Sequence, residues 1–567
     1  MVLNILGRET SAETQFTRWL SKLLSLVQEV LDCRRRRNFL EDGFDVTTYE
    51  SRDYVGGLWK DSKDSTISVH STTIFNTSKY CAGFSDFPLA ETDDDYPTAY
   101  QLHNWLVRYA EHFNLLPRIK LGTKVLHITR TGNQWALKSQ KLITGKTTTE
   151  YFDKVCIATG TFFIPKWPNL EDLDKFTGKV IHSIDYHTPE DFKDQRVLII
   201  GMHATAQDVT NSLSEAAKHV YLAHRGGLLL MPRFEDSGAT SDQAATLRFT
   251  LFVAFMYRHF PTLWNWLFNR VLSMISTKAF PSVPEEWGLR PAPHVAIATP
   301  LFADTLWPLL QSKFAEPIPA IRRITGPRSV ELTNGRILQD IDSIIYCTGY
   351  HTSLPEGLLP QSSGTESIHP YPNNTIGSPP NLYRNIFPLH PDPSIRTSLA
   401  FLGHGNILQP GFIQFELNAM AISQVWLGKT MLPPHAEMLR WHENHLAERQ
   451  HNISYYGAEP NSTYYPTFMN MGEHFKWVDE AAGTGISRNL GTGMGWGNWR
   501  AWKLWWVDRE LYKVVMGGIF TPFIWRLFDG GKKRKAMEWG KCRAAILRQN
   551  ELALEGRRRV LEGKKRV

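Results

Sequence analysis

The sequence of 567 residues is poor in cysteine. Its five cysteines, Cys33, Cys81, Cys156, Cys347 and Cys542, lie far apart and form no CxxC pair. This spacing argues against a cysteine-based metal site, a redox-active pair and the dense disulfide framework of small secreted domains. We therefore expect a reduced, intracellular, cytoplasmic protein.

Long apolar runs are also missing. No stretch reaches the ~18 uncharged apolar residues of a membrane-spanning helix. The segment 249–276 is rich in Phe, Leu and Trp but contains Arg258 and Arg270, and the apolar segment 514–525 is short. We expect both to be buried helices. The alternative is peripheral contact with a membrane surface, with Trp and basic residues at the headgroups.

Net positive charge is confined to the C-terminus. The chain has 63 basic and 56 acidic residues, a net charge of +7, but residues 531–567 alone hold 13 basic and 4 acidic residues. The rest of the chain therefore sums to −2, which argues against a nucleic-acid-binding body. The tail itself is typical of a solvated charged helix.

Short runs of β-branched residues, each followed by a turn or a glycine, organise most of the chain. They are residues 44–50, 154–160, 196–201 and 343–349, with helical patterns between them at 100–114 and 204–218. Strands that alternate with helices predict an α/β fold with parallel sheets.

Two of these strands carry the features of dinucleotide-binding folds. The first ends at Glu50, where a carboxylate can bind ribose hydroxyls, and is followed by Gly56 and Gly57, which allow close backbone approach. The strand 196–201 runs through Gly201 into a helix, and Arg225 follows the next strand, 220–223. An arginine there favours NADP over NAD, because it can pair with the 2′-phosphate.

Residues 176–186, FTGKVIHSIDY, form an FxGxxxHxxxY pattern that resembles the signature of flavin-containing monooxygenases. Further matches follow in the family's order: GFDVTTYE with GGLW, NTSKYCAGFSDFP, ATG at 158–160, the second nucleotide strand, and YCTGY at 346–350. The resemblance spans about residues 39–428. Baeyer–Villiger relatives carry Trp where this chain has Tyr186, so the resemblance favours the branch that oxygenates soft nitrogen and sulfur centres.

The resemblance implies FAD and NADP(H) as cofactors and a division into domains. It implies two Rossmann-like domains, with the NADP domain inserted into the FAD domain, plus a helical and irregular C-terminal extension. The expected boundaries are 1–38 (an atypical N-terminal segment), 39–191 and 337–430 (FAD domain), 192–336 (NADP domain), and 431–567 (extension with basic tail). The strands at 154–160 and 343–349 should then share the FAD domain.

The resemblance also implies roles for individual residues. Asn76 becomes the catalytic amide at the reactive flavin edge, where its hydrogen bonds could hold activated oxygen. Without the resemblance, a turn or helix N-cap would be the preferred interpretation of Asn76. His182 is expected to be a structural link between the domains rather than a general base. The implied cofactor-binding residues are Glu50, Gly56, Gly57, Trp59, Thr159, Gly160, Gly201, Thr205, Arg225, Gly349 and Gln409.

The phosphate-binding glycines depart from the family pattern. No glycine lies between Gly7 and Gly43, where a GxGxxG turn should precede Glu50; an amphipathic segment ending in four arginines stands there. We therefore expect the family's first strand and phosphate loop to be replaced, which predicts weak FAD retention. In the second loop, GMHATA, His203 occupies the middle glycine's place and either obstructs the phosphates or donates to them, while Asp208 and the helix N-terminus remain.

The sequence thus predicts an NADPH-dependent flavin monooxygenase that acts with O2 on a small organic substrate. Two alternatives stay open: a non-catalytic or flavin-deficient relative, and a Baeyer–Villiger enzyme that oxygenates ketones. The substrate and the oligomeric state cannot be read from one chain.

Overall fold

The computed structural model describes residues 22–27, 38–62, 67–70, 72–160, 162, 164–295, 297–360, 367–371, 378–405, 411–457, 467–491, 499–528 and 538–564. The strands are β1 Lys22–Val27, β2 Asp45–Tyr49, β3 Ile119–Lys120, β4 Thr123–Thr131, β5 Gln134–Lys141, β6 Thr147–Phe152, β7 Lys154–Ala158, β8 Ile164–Pro165, β9 Lys179–His182, β10 Arg196–Ile200, β11 His219–His224, β12 Leu230–Met231, β13 Leu301–Phe302, β14 Ala315–Pro319, β15 Ile321–Gly326, β16 Ser329–Leu332, β17 Ile337–Leu338, β18 Ser343–Tyr346, β19 Tyr350–His351, β20 Leu382–Tyr383, β21 Phe387–Pro388 and β22 Leu399–Phe401.

The α-helices with described bounds are α1 Lys79–Ala82, α2 Ala99–His112, α3 Ala204–Leu213, α4 Leu247–His259, α5 Pro261–Ala279, α6 Leu306–Gln311, α7 Pro393–Arg396, α8 Gly411–Trp426, α9 His435–Tyr456, α10 Met471–Ala482, α11 Ile486–Leu490, α12 Trp499–Val507, α13 Arg509–Gly517 and α14 Trp539–Lys564. Where local signals are strong, the helix ends follow them. Helix α2, for example, begins at a capping box formed by Thr98 and Gln101.

Two five-stranded parallel sheets form the core, in the orders β22-β7-β1-β2-β3 and β14-β11-β10-β18-β9. Among the described side chains, most of these strands carry runs of buried apolar residues, as expected of parallel strands covered on both faces. The second sheet is inserted between β7 and β22 of the first. The predicted α/β class and the inserted second domain are therefore confirmed.

The predicted domain boundaries are wrong in one respect. Strand β18, expected in the first sheet beside β7, pairs with β10 and β9 in the second sheet. Strand β9 precedes the predicted start of the inserted domain at residue 192. The second sheet thus includes β9 and β18 and runs from Lys179 to Tyr346. The sequence could not assign β18 to a sheet, because an apolar strand can pair in either one and only its hydrogen-bond partners determine which.

The N-terminal expectation also needs correction. Strand β1 lies at the centre of the first sheet, hydrogen-bonded in parallel to β7 and to β2. The segment thought to replace the family's first strand therefore supplies a strand at the central position. Residues 28–37, which include the four arginines, lie outside the described residues.

Two short crossing segments join the sheets. Strand β8 leaves the first sheet, β19 returns from the second, and the two pair antiparallel with Tyr350 opposite Pro165. The Lys166 backbone N–H donates to the Gly349 carbonyl at 2.9 Å. The antiparallel pair of β8 and β19 holds the carboxyl ends of β7 and β18 next to the junction of the two domains.

Both apolar segments are largely helical, but the expected burial is wrong for much of the first, because Leu263, Trp266, Val271 and Met274 of α5 are exposed. Residues 249–276 lie in α4 and α5, and 514–525 covers the end of α13 and a 3-10 turn at Pro522–Arg526. Within the described ranges, no helix has both the length and the apolarity needed to cross a bilayer. The basic tail forms α14, whose Arg548 and Arg559 pair with Glu91 and Asp95 of the first domain.

Candidate active site between the two nucleotide folds

Glu50 stands just past the carboxyl end of β2, as predicted, and is 4% exposed. Its carboxylate accepts hydrogen bonds from the Arg52 backbone N–H at 2.8 Å and the Ser51 hydroxyl at 3.2 Å. Burial raises the pKa of Glu50. A buried carboxylate at a strand end suits ribose hydroxyls, which would satisfy its remaining acceptor capacity.

The turn after Glu50 adds donors and space. Gly56 and Gly57 have φ of +109° and +57°, and a Cβ on Gly56 would lie 2.7 Å from the His103 ring. The guanidinium of Arg52 is buried, and its Nε and Nη1 have no hydrogen-bond partner among the residues that the structure describes. Unpartnered buried donors beside an acceptor are what a bound ribose or phosphate would satisfy, so these residues fit the ribose end of FAD.

Trp59 lies at the end of this turn. It ends a 3-10 turn at Gly57–Trp59 and packs edge-on against Phe75 and Phe412 with ring centroids 5.2 Å and 6.2 Å away. Because Phe75 precedes Asn76, the aromatic cluster connects the predicted flavin surround to the predicted catalytic amide.

At the end of β7, Thr159 is buried and Gly160 has φ +72°. Gly349 follows β18 with φ +77°, and its carbonyl faces the buried His182 ring, whose Nε2 lies 3.2 Å away. His182 Nδ1 accepts from the Ile184 backbone N–H, so Nε2 carries the proton and donates to Gly349. Burial lowers the pKa of His182 to about 4, which keeps the imidazole neutral in this link.

The second nucleotide site begins at Gly201, φ +119°. A Cβ there would lie 2.4 Å from the Cys347 carbonyl oxygen, so only glycine allows β10 and β18 to approach so closely at this end. Thr205 is exposed in the first turn of α3, and Arg225 is exposed directly after β11. A helix N-terminus, an exposed hydroxyl and an exposed arginine fit the phosphates of NADP.

His203 contacts the backbone of Thr299, and its two predicted effects on phosphate binding stay predictions. It is the N-cap residue of α3 without a side-chain cap bond, and its Nε2 lies 3.0 Å from the Thr299 carbonyl oxygen. The ring is therefore held by the 299 loop. Gln409, the last predicted cofactor contact, lies outside the described residues.

The segment that carries Asn76 bridges the two domains. Arg233 Nη2 donates to Asn76 Oδ1 at 3.1 Å, although 157 residues separate them. A guanidinium only donates, so this bond fixes the amide orientation and leaves Asn76 Nδ2 as a donor. The N-cap position of helix α1 is Ser78, so the alternative role of Asn76 as an N-cap does not apply.

Arg233 is itself held firmly. Its side chain is 5% exposed, its Nη1 lies 3.4 Å from Asp304 Oδ2, and its backbone N–H also donates to Asp304. The Arg233 carbonyl accepts from the Tyr96 hydroxyl at 2.6 Å. Sequence reasoning missed Arg233; the only local signal was an arginine closing the apolar run LLLMPR.

Asp208 joins the same junction. Its Oδ2 accepts from the Thr73 hydroxyl at 3.0 Å, which ties α3 to the segment before Asn76. Burial raises the pKa of Asp208 to about 7, with the Thr73 hydrogen bond and the Arg233 charge opposing the rise. The junction thus combines a fixed amide, a buried guanidinium and a carboxyl group that titrates near neutrality.

Comparison with known proteins agrees with this geometry. A model of the family described as "Flavin-binding monooxygenase-like" matches residues 33–555. The chain is 32% identical over 521 residues to monooxygenase aurF of Gibberella zeae, covering 91% of this chain and 94% of that protein.

Two solved structures share the fold at low sequence identity. One is S-allyl-L-cysteine S-oxygenase from Allium sativum, with TM-score 0.57, 18% identity and coverage of 86% of this chain and 94% of that chain. The other is cyclohexanone monooxygenase from Rhodococcus sp. Phi1 bound to NADP+, with TM-score 0.55, 15% identity and coverage of 83% and 98%.

Proposed function

Because the chain belongs to the flavin-binding monooxygenase-like family, we propose that it oxygenates a soft, nucleophilic nitrogen or sulfur centre of a small organic substrate. It is an NADPH-dependent flavin monooxygenase, and FAD and NADP(H) are its cofactors. When bound, the flavin accepts electrons from NADPH and is the place where O2 reacts.

The hydrogen bond from Arg233 to Asn76 carries the proposal. It fixes a neutral amide donor between the two nucleotide folds, where the substrate and both cofactors would meet. Oxygenation of sulfur or nitrogen by an electrophilic oxygen requires no proton abstraction from the substrate. A site that orients, donates hydrogen bonds and excludes water is then sufficient.

The surrounding residues support the same division of labour. Glu50, Gly56 and Gly57 would hold FAD at the first sheet, and Gly201, Thr205 and Arg225 would hold NADP at the second. Weak retention of FAD, expected because the glycine-rich phosphate turn is missing, remains a prediction, since residues 28–37 lie outside the described residues. The flavin absorbance of the purified protein measures it.

The test uses FAD-loaded protein with NADPH and 18O2 and three probes: methyl phenyl sulfide, N,N-dimethylaniline and cyclohexanone. We expect a sulfoxide and an N-oxide, each with one labelled oxygen, and no lactone. Lactone as the main product would overturn the proposal in favour of ketone oxygenation.

A variant pair tests the amide. Asn76→Leu removes the donor and should lower sulfoxide formed per NADPH consumed by about tenfold or more, given that a lost donor at such a site costs about 10²–10³ in kcat. Asn133→Leu, at an exposed turn residue between β4 and β5, is the matched control and should keep the wild-type ratio. An unchanged ratio in Asn76→Leu would remove Asn76 from the mechanism.

A further inference from the structure

A small cavity of about 110 Å³ lies between the α4–α5 corner, the end of α9 and the loop before α10. Its walls include Tyr257, Asn265, Glu448, Asn452, Tyr456 and Met469. Pockets that enclose a whole drug-sized ligand measure about 300–1,000 Å³. This cavity can therefore hold only one end of a molecule.

Asn265 lines this cavity and has an unused acceptor. The residue is 7% exposed, and its Nδ2 donates to the Tyr456 hydroxyl at 3.3 Å. Its Oδ1 is buried and has no hydrogen-bond partner among the described residues. A buried carbonyl oxygen left without a donor costs about 1–3 kcal/mol, so a partner that supplies one is expected.

Tyr456 supplies the complementary donor. Its oxygen accepts from Asn265, which leaves its own O–H proton available to a neighbouring acceptor. An acceptor and a donor on adjacent side chains match a hydroxyl group, which donates to one and accepts from the other. The aromatic and thioether walls from Tyr257 and Met469 suit an attached ring.

Glu448 argues against a negatively charged occupant. Its Oε1 accepts from Asn470 Nδ2 at 2.9 Å, and no ion pair with Lys or Arg is seen for it in the described residues. Burial, followed by the charge of Glu473, raises the pKa of Glu448 against the opposing effects of Asn470 and His451. A carboxylate, sulfate or phosphate brought here would meet further unfavourable charge.

The cavity adjoins the loop that the family resemblance places beside the flavin. Met469 Sδ lies 2.7 Å from the position that a Cβ on Gly405 would take. Gln414 of α8 donates to the Gly405 carbonyl at 2.9 Å. One cavity wall therefore packs against Gly405, four residues before Gln409 in the sequence.

We propose that this cavity binds a hydroxyl-bearing end of the substrate, with Asn265 accepting from the hydroxyl and Tyr456 donating to it. The inference rests on the proposed function, because it assigns the non-reacting end of the same substrate. It predicts a preference for neutral, hydroxylated sulfides or amines.

The probes are 4-(methylsulfanyl)phenol and its methyl ether, which differ by one O–H. Isothermal titration calorimetry with FAD-loaded protein should give a Kd for the phenol about tenfold lower than for the ether. Asn265→Leu should bring the two Kd values together. Tyr456→Phe, which removes only one oxygen, should reduce the preference in the same direction.

Asn444→Leu, at an exposed position of α9, is the matched control and should keep the wild-type preference. Equal Kd values in the wild type would overturn the inference and indicate that only water occupies the cavity. A preference for the phenol that persists in both Asn265→Leu and Tyr456→Phe would also overturn it. Calorimetry does not require turnover. A preference for the phenol without sulfoxide formation would therefore support the assigned role of the cavity and refute the proposed function. Sulfoxide formation without the preference would support the proposed function and refute the role of the cavity.

Discussion

Arg526 is the centre of a buried ionic cluster that fastens the C-terminal extension to the first domain. Its side chain is 2% exposed, and its Nη2 lies 3.3 Å from Glu41 and 3.5 Å from Glu416, which is fully buried on α8. Its Nε donates to the Ser85 hydroxyl at 2.7 Å, and Nη2 donates to Asn38 at 3.1 Å. Buried contacts of Arg526 thus join the segment after the predicted boundary at residue 431 to the first domain.

Arg526→Met keeps most of the side-chain volume but leaves the Glu416 carboxylate buried without its cation. Breaking a buried pair in this way costs about 3–5 kcal/mol. For a cooperative unit of 150–250 residues, this corresponds to a fall in Tm of about 6–20 °C, which differential scanning calorimetry measures. The double variant R526M/E416Q should recover part of the loss, since it also removes the stranded charge.

Arg548→Met is the control. Arg548 pairs with Glu91 and Glu555 at an exposed surface, where such pairs contribute about 0–1 kcal/mol. The reasoning fails if Arg526→Met and Arg548→Met lower the Tm equally.

Three further predictions concern the second nucleotide domain. Arg225→Ala should raise the KM for NADPH much more than that for NADH, since a charge-assisted bond to the 2′-phosphate is worth about 1.5–3 kcal/mol; equal changes would remove the role. Gly201→Ala should lower the Tm and weaken NADP+ binding in calorimetry, because its Cβ meets the Cys347 carbonyl oxygen, whereas Gly226→Ala, with open space around the added methyl, should change neither. Asp208 has a folded pKa raised to about 7, so its contribution to stability is greatest at low pH and is lost as the pH rises through 7. The Tm of Asp208→Asn relative to wild type should therefore increase from pH 5 to pH 8, and a constant difference would contradict the buried carboxyl.

Several core strands and the family could be predicted from local sequence alone. Runs such as 154–158 and 196–200 carry β-branched residues that suit buried parallel strands, and the structure places them within two residues of the predicted ends. The FxGxxxHxxxY pattern and its companions are local motifs, so their order along the chain was enough to identify the monooxygenase family. The positions of Glu50, Gly201 and Arg225 at strand ends follow from the same local patterns.

Contacts between segments that are far apart in the sequence could be assigned only from the three-dimensional structure. Four consecutive buried residues, Ser343–Tyr346, could have completed either sheet, and hydrogen bonding to β10 placed them in the second. Lys22–Val27 has an amphipathic pattern, yet it lies between two parallel strands, where backbone pairing overrides local preference. The partnerships of Arg233 with Asn76 and of Arg526 with Glu416 join residues more than 100 positions apart, and no spacing along the chain encodes such a contact.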